Sequence, residues 1–207
     1  MKLRISGSVI FQFLLNVRSF FIWVRHKFES PSPQFVKQRV IVRNCIPDST
    51  WIETGTFLGA TTRILAKHSP RVISIEPQKE LYEYNSYKFR KDSNISVLND
   101  TSEVALPHIL PKLTGSINFW LDGHFSDGIT FKGTNDTPIK FELGYIEEAQ
   151  SNFNDIAIFV DDVRCFNPSN PVFAEYPPLD FLVEWANRNG FRWTIEQDIF
   201  IATWNSN

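Results

Sequence analysis

The chain has 207 residues, 43% hydrophobic and 21% charged, which is the make-up of one globular domain with a full core, not of a disordered or fibrous chain. A formal net charge of −2 gives no electrostatic case for nucleic acid as the main partner, and none is expected. Cys45 and Cys165 stand far apart without metal-type spacing and read as reduced, structural residues.

The first segment, Ile5 to Val24, is apolar and nearly long enough to span a bilayer. Gln12, Asn16 and Arg18 interrupt it, and a mid-span arginine is costly in hydrocarbon. Arg4, Arg18, Arg25 and Lys27 beside Phe and Trp suit a helix lying on a membrane surface or docking on a partner subunit. A helix covering the domain's own apolar surface fits equally well. The Ser-Pro-Ser-Pro run with Pro31 and Pro33 marks a break, dividing the chain into a helical segment 1–30 and a domain 31–207. Residues 35–44 read as helix or extended lead-in.

Trp51 and Ile52 close a short strand; Glu53-Thr54-Gly55-Thr56-Phe57-Leu58-Gly59 follows, and Ala60 to Ala66 favours helix. A strand turning through glycines into a helix offers backbone N–H groups without intrahelical partners, at the positive end of the helix dipole. Gly55 and Gly59 permit the tight turn and a close ligand approach. The Gly-x-x-x-Gly spacing differs from the Gly-x-Gly-x-x-Gly of dinucleotide sites. The pattern Glu53-x-Gly55-x-Phe57-x-Gly59 resembles the first motif of class I S-adenosyl-L-methionine (SAM) methyltransferases. With Phe57 in place of a middle glycine it is similar to the catechol and caffeoyl-CoA type of small-molecule O-methyltransferase. The resemblance implies SAM as cofactor, held by Glu53, Gly55, Thr56, Phe57 and Gly59.

Arg71 to Pro77 reads as a short buried strand closing on the acid Glu76, which lies 76 − 53 = 23 residues after Glu53. An acid about 20 residues after such a turn can accept from both ribose hydroxyls; the plainer alternative is a surface acid before the turn at Pro77. Lys79 to Arg90 has helical spacing, with Tyr82, Tyr84 and Tyr87 as packing residues. Ile95 to Leu98 is a third strand. After it the resemblance makes Asp100 and Thr101 adenine-contact candidates, although Asn99-Asp100-Thr101-Ser102 is also an ordinary polar turn.

Two further apolar runs, Ile117 to Leu121 and Ile156 to Val160, deliver Asp122, Asp161 and Asp162 to their carboxyl ends, where open parallel sheets place ligands. Three carboxylates there could form an oxygen-rich site for Mg²⁺ or another divalent cation, or could merely cap the strands. The resembled family binds its cation with acids at the positions of Asp122 and Asp161 and commonly has Asn where Asp162 stands. Its lysine three residues after the first acid is Phe125 here, leaving His124, with Asp122, as the catalytic candidates. The polar loop from Phe125 to Pro138, with Asp127, Lys132 and Asp136, reads as an acceptor wall or a solvated loop. It resembles segments of methyltransferase-like proteins of bacterial surface-polysaccharide pathways. Ile139 to Asn152 reads as a helix with Glu142, Glu147 and Glu148 on its polar side.

Leu179 to Asn189 is an amphipathic helix, and the strands 191–195 and 199–204 are too close in sequence for a crossover, so they pair antiparallel. The expected fold is therefore α/β: a Rossmann-like class I methyltransferase sheet, mostly parallel, with a C-terminal antiparallel hairpin and helices on both faces. The resemblance covers roughly Thr50 to Trp204. It implies a SAM-dependent O-methyltransferase, assisted by a divalent cation, acting on a hydroxylated small molecule or sugar. A cytoplasmic location is expected, with peripheral contact at the inner membrane surface, or homo-oligomer formation, through the first helix. Two alternatives stay open: a non-catalytic protein of this fold that binds a partner or membrane, and N-methylation on the same fold.

Overall fold

The computed structural model describes residues 9–123 and 137–206, with side chains from residue 14 onward. The helices are α1 (Val9–Arg25), α2 (Gln34–Asn44), α3 (Ala60–Leu65), α4 (Lys79–Phe89), α5 (Ser102–Ile109), α6 (Ile139–Ala149) and α7 (Leu179–Arg188). The strands are β1 (Thr50–Thr54), β2 (Arg71–Ile75), β3 (Ile95–Leu98), β4 (Gly115–Leu121), β5 (Phe153–Val160), β6 (Arg192–Glu196) and β7 (Ile199–Asn205). They form one seven-stranded sheet in the order β3-β2-β1-β4-β5-β7-β6. β1 to β5 pair in parallel, and β7 runs antiparallel to both β5 and β6.

The sequence dictates this arrangement through the two-residue period of the strands. Along β1, Trp51 enters the core shared with Val40 and Ile41 of α2, while Ile52 enters the opposite core with α5, α6 and α7. β4 and β5 repeat the alternation: Trp120 and Phe159 pack on the α2 side, Phe119 and Ile158 on the other. Trp51 and Phe159 meet at 5.5 Å between ring centroids. Burial on both faces explains why these strands read as unbroken apolar runs.

The hairpin turn is tighter than the sequence suggests. Glu196 pairs with Ile199, so the loop is only Gln197 and Asp198, at φ 51° and 67°. Two left-handed residues define the turn whose twist matches the flanking strands.

Several local readings are resolved or corrected. Residues 35–44 are helical: Lys37, Val40 and Ile41 share its buried face at helical spacing. α5 carries little sequence signal because it is short and contains Pro107. On α4 the buried residues are Leu81, Asn85 and Phe89, whereas Tyr87 is exposed and lies under Arg90. α6 ends at Ala149, followed by a 3₁₀ turn, and Glu142 is 1% exposed instead of lying on the polar side.

Leu14, Phe20, Phe21 and Ile22 of α1 are exposed, and Phe20 approaches Phe35 of α2 at 6.5 Å. No described helix is long and apolar enough to cross a membrane. After the prolines, Ser32 is buried and its hydroxyl donates to the carbonyl of Gln197 at 3.2 Å.

Candidate cofactor and acceptor site

The carboxyl edge of β1, β2 and β4 forms the first half of the site. Gly55 N donates to the Ile75 carbonyl at 3.0 Å, and Gly59 N to that of Thr56 at 2.8 Å, closing the turn into α3. The two glycines have φ of 84° and 68°. Their missing Cβ atoms make room for protein: one on Gly55 would lie 2.5 Å from the Asp122 carbonyl oxygen, one on Gly59 2.5 Å from Asn85 Oδ1. The glycines fit the turn against β4 and α4, a closer constraint than ligand approach alone. Phe57 sits between them at φ 47° with its ring 46% exposed. Its backbone is fixed from both sides, donating to Glu76 Oε2 at 2.8 Å and accepting from Asn85 Nδ2 at 2.6 Å. A left-handed Phe is costly, so this over-determination is what holds it.

Glu76 stands where β2 ends. Its Oε1 accepts from Gln78 N at 3.0 Å, as Oε2 does from Phe57 N. Burial raises its pKa, against the lowering effect of those two N–H groups. Each oxygen keeps capacity for a second donor, which suits a vicinal diol. Glu53 is buried on the α2 side of β1, its Oε2 accepting from Thr62 at 2.6 Å and Ser74 at 2.5 Å. Its Oε1 has no hydrogen-bond partner among the described residues. Burial pushes its carboxyl up to about 7, with Ser74 and Thr62 opposing and the charges of Asp122 and Glu76 adding to the rise. Glu53 thus braces the turn, and only Oε1 is left for a further bond. Thr56 is buried, with its hydroxyl 2.6 Å from that of Ser74. Asp100 is half-buried and accepts from Thr101 N at 2.9 Å, and Thr101 caps α5 without a side-chain bond. Asn99 Nδ2 donates to the Glu76 carbonyl at 2.9 Å, tying the β3 and β2 ends together.

The second half lies at the ends of β4 and β5. Asp122, Asp161 and Asp162 each place a carboxylate oxygen within 4.8 Å of the others. The convergence expected from the sequence is present, but a cation of the chain already occupies it. Lys37 of α2, 4% exposed, sends Nζ to 2.6 Å from Oδ1 of both Asp161 and Asp162 and to 4.0 Å from Asp198. Arg164 NH1 lies 2.5 Å from Asp162 Oδ1 and also binds Asp198. Asp161 Oδ1 accepts in addition from Asp162 N at 2.8 Å. Burial lowers the Lys37 pKa, but the two aspartates outweigh it, so the ammonium stays charged. Burial and the charges of Asp122 and Asp162 push Asp161 up to about 7, against Lys37.

A resident divalent ion would have to share the acids with this ammonium. A +1 and a +2 charge about 4 Å apart repel by roughly 8 kcal/mol at an effective dielectric near 20, and Oδ1 of Asp161 and of Asp162 each already meet two donors. The expected Mg²⁺ therefore finds no support. His124 and the loop residues Asp127, Lys132 and Asp136 lie outside the described residues.

Sequence reasoning misses Lys37, Arg164, Asp198 and Glu142. Lys37 has a signal, being a lysine in register with the apolar Val40 and Ile41 of one helix face. Arg164 and Asp198 give none, since the hairpin turn carrying Asp198 meets β5 only in three dimensions. Glu142 lies beside Gly123, with no hydrogen-bond partner for its Oε1 among the described residues; burial pushes it up to about 7, with the nearby Ser102 and Thr54 hydroxyls opposing.

No protein-family model and no curated protein matches the chain by sequence. Its solved structural neighbours are class I SAM-dependent methyltransferases, and the chain has their fold. A protein from Streptococcus mutans assigned as a methyltransferase, solved with S-adenosylhomocysteine (SAH), aligns with TM-score 0.52 and 13% identity, over 84% of this chain and 97% of that one. An assigned rRNA-methylase from Clostridium thermocellum aligns with TM-score 0.54 and 12% identity, over 82% and 94%. A precorrin-6y C5,15-methyltransferase from Geobacter metallireducens aligns with TM-score 0.52 and 11% identity, over 86% and 92%. The caffeoyl-CoA subgroup finds no particular support among them. The expectation of no nucleic-acid partner is also corrected, because this fold is shared with an rRNA-methylase. A net charge summed over the chain does not describe the local field at one edge of the sheet.

Proposed function

We propose that the chain is a SAM-dependent methyltransferase whose cofactor lies over the β1–β2 edge and whose acceptor approaches Asp122. The observation that carries this reading is the bond from Phe57 N to Glu76 Oε2, which locks the β2 acid onto the β1 turn within a class I methyltransferase fold. SAM, when bound, supplies an activated methyl group on a sulfonium. Glu76 accepts from the ribose hydroxyls, and Phe57 offers its exposed ring beside the turn. Asp122, joined to the turn through the contact of its carbonyl with Gly55, takes a hydrogen bond from a hydroxyl acceptor and orients its oxygen. Methyl transfer to oxygen is the proposed chemistry; an N–H acceptor would meet the same carboxylate.

Calorimetric titration with SAH tests the reading. The wild type should bind one equivalent, and Glu76→Ala should weaken binding by roughly 1–3 kcal/mol, about 5- to 150-fold, because ribose hydroxyls would lose their acceptor in a desolvated site. Equal affinities for the two proteins would remove the ribose assignment, and absence of binding to the wild type would remove the function.

A further inference from the structure

We propose that Lys37 is the built-in cation of the acidic edge: it holds Asp161 and Asp162 in the place a divalent ion would otherwise take, and the site works without metal. The inference deepens the methyl-transfer reading, but only its consequence for the reaction rests on that reading. Lys37 comes from α2, outside the strand ends that carry the acids, and crosses 124 and 125 residues of sequence to reach them. Its buried Nζ is equidistant from the two aspartates, at 2.6 Å from each. An ammonium has three protons, and two of them serve the short bonds; Asp198, at 4.0 Å, adds charge but lies beyond hydrogen-bond distance. One oxygen of each aspartate is doubly engaged. Asp161 Oδ1 meets Lys37 and Asp162 N, and Asp162 Oδ1 meets Lys37 and Arg164. Asp162 adopts φ 56°, a left-handed conformation that brings its carboxylate back toward the same ammonium. Lys37 is thus a positioning residue. It sets the charge and spacing of the acids beside Asp122, and it does so permanently, where an ion would come and go with its concentration.

Removing the ammonium should favour a metal ion at this edge, since the cluster of three carboxylates within 4.8 Å would lose a positive charge held 2.6 Å from two of them. The test is a titration of the full chain with Mn²⁺, followed by electron paramagnetic resonance of the free ion. The wild type should show no stoichiometric site. Lys37→Met should bind one Mn²⁺ at least tenfold more tightly than the wild type, and adding Asp161→Asn should remove that gain. Lys37→Gln serves as a second neutral variant if Lys37→Met does not fold. A wild-type protein that binds one Mn²⁺, with the site abolished by Asp161→Asn, overturns the proposal whatever the variants do. So does a folded Lys37→Met or Lys37→Gln protein with no gain in Mn²⁺ affinity. SAH titration of the same wild-type sample in EDTA separates the two ideas. Loss of SAH binding on chelation overturns the metal-free site, whereas failure to bind SAH with or without EDTA counts against the methyltransferase reading and leaves the Mn²⁺ result standing.

Discussion

Gly55→Ala should cost the protein about 2–5 kcal/mol of stability and abolish SAH binding. The left-handed backbone at φ 84° contributes about 1–2 kcal/mol once a Cβ is present. Overpacking adds about 1–3 kcal/mol, because the new atom would lie 2.5 Å from the Asp122 carbonyl oxygen and 3.0 Å from its carbon. Backbone cannot rotate away as a side chain can, so the end of β4 must move, and Asp122 with it. Gly115→Ala is the control: φ is 86° there, yet a Cβ would meet nothing within 4 Å, so only the backbone cost remains. Urea unfolding measures the stabilities and calorimetry the affinities. Wild-type SAH affinity in a folded Gly55→Ala protein would show that the turn does not shape the cofactor site.

Stability should fall as pH rises from about 4.5 to about 7, and Glu142→Gln should remove one share of that fall, Glu53 and Asp161 carrying others. Burial raises the Glu142 carboxyl from 4.5 to about 7. Below the lower value both folded and unfolded chains hold the proton, and Glu142 contributes its full stability. Between the two values the unfolded chain releases its proton while the folded one keeps it, so stability declines. Above the folded pKa the loss is complete, on the order of 3 kcal/mol for this group. Glu53 acts in the same direction over the same window. The glutamine variant should therefore gain on the wild type as pH rises, by about 6–12 °C in melting temperature at pH 8 relative to pH 4.5. A difference between the two proteins that stays constant from pH 4.5 to 8 would mean that Glu142 does not hold its proton in the folded state.

Much of the fold is legible in the sequence because its strands carry strong local signals. β2 begins at Arg71 as expected and stops at Ile75, two residues short of the expected stretch, since its apolar run ends there at a charged residue and a proline. The hairpin follows from connection length alone, whatever its tertiary context. The glycine turn is also legible, although the neighbours the glycines make room for, the Asp122 carbonyl and the Asn85 side chain, cannot be read from sequence. The acids at the ends of β4 and β5 stand out for the same reason as the strands, being the charged residues that stop apolar runs. Their main counter-charge does not, because Lys37 approaches Asp161 from an element 124 residues away. Acids alone suggest a metal, and the lysine that neutralises them sits on a helix that its own sequence does not distinguish from an extended segment. The same applies to Glu142: α6 offers three glutamates, and only packing against Thr54 and Gly123 distinguishes the buried one.

A crystal structure of the full chain with SAH tests the central claim most directly. SAH should lie over the carboxyl edge of β1 and β2, with both ribose hydroxyls within hydrogen-bond distance of Glu76 and the sulfur directed toward Asp122. SAH bound elsewhere, or with its ribose away from Glu76, would contradict it.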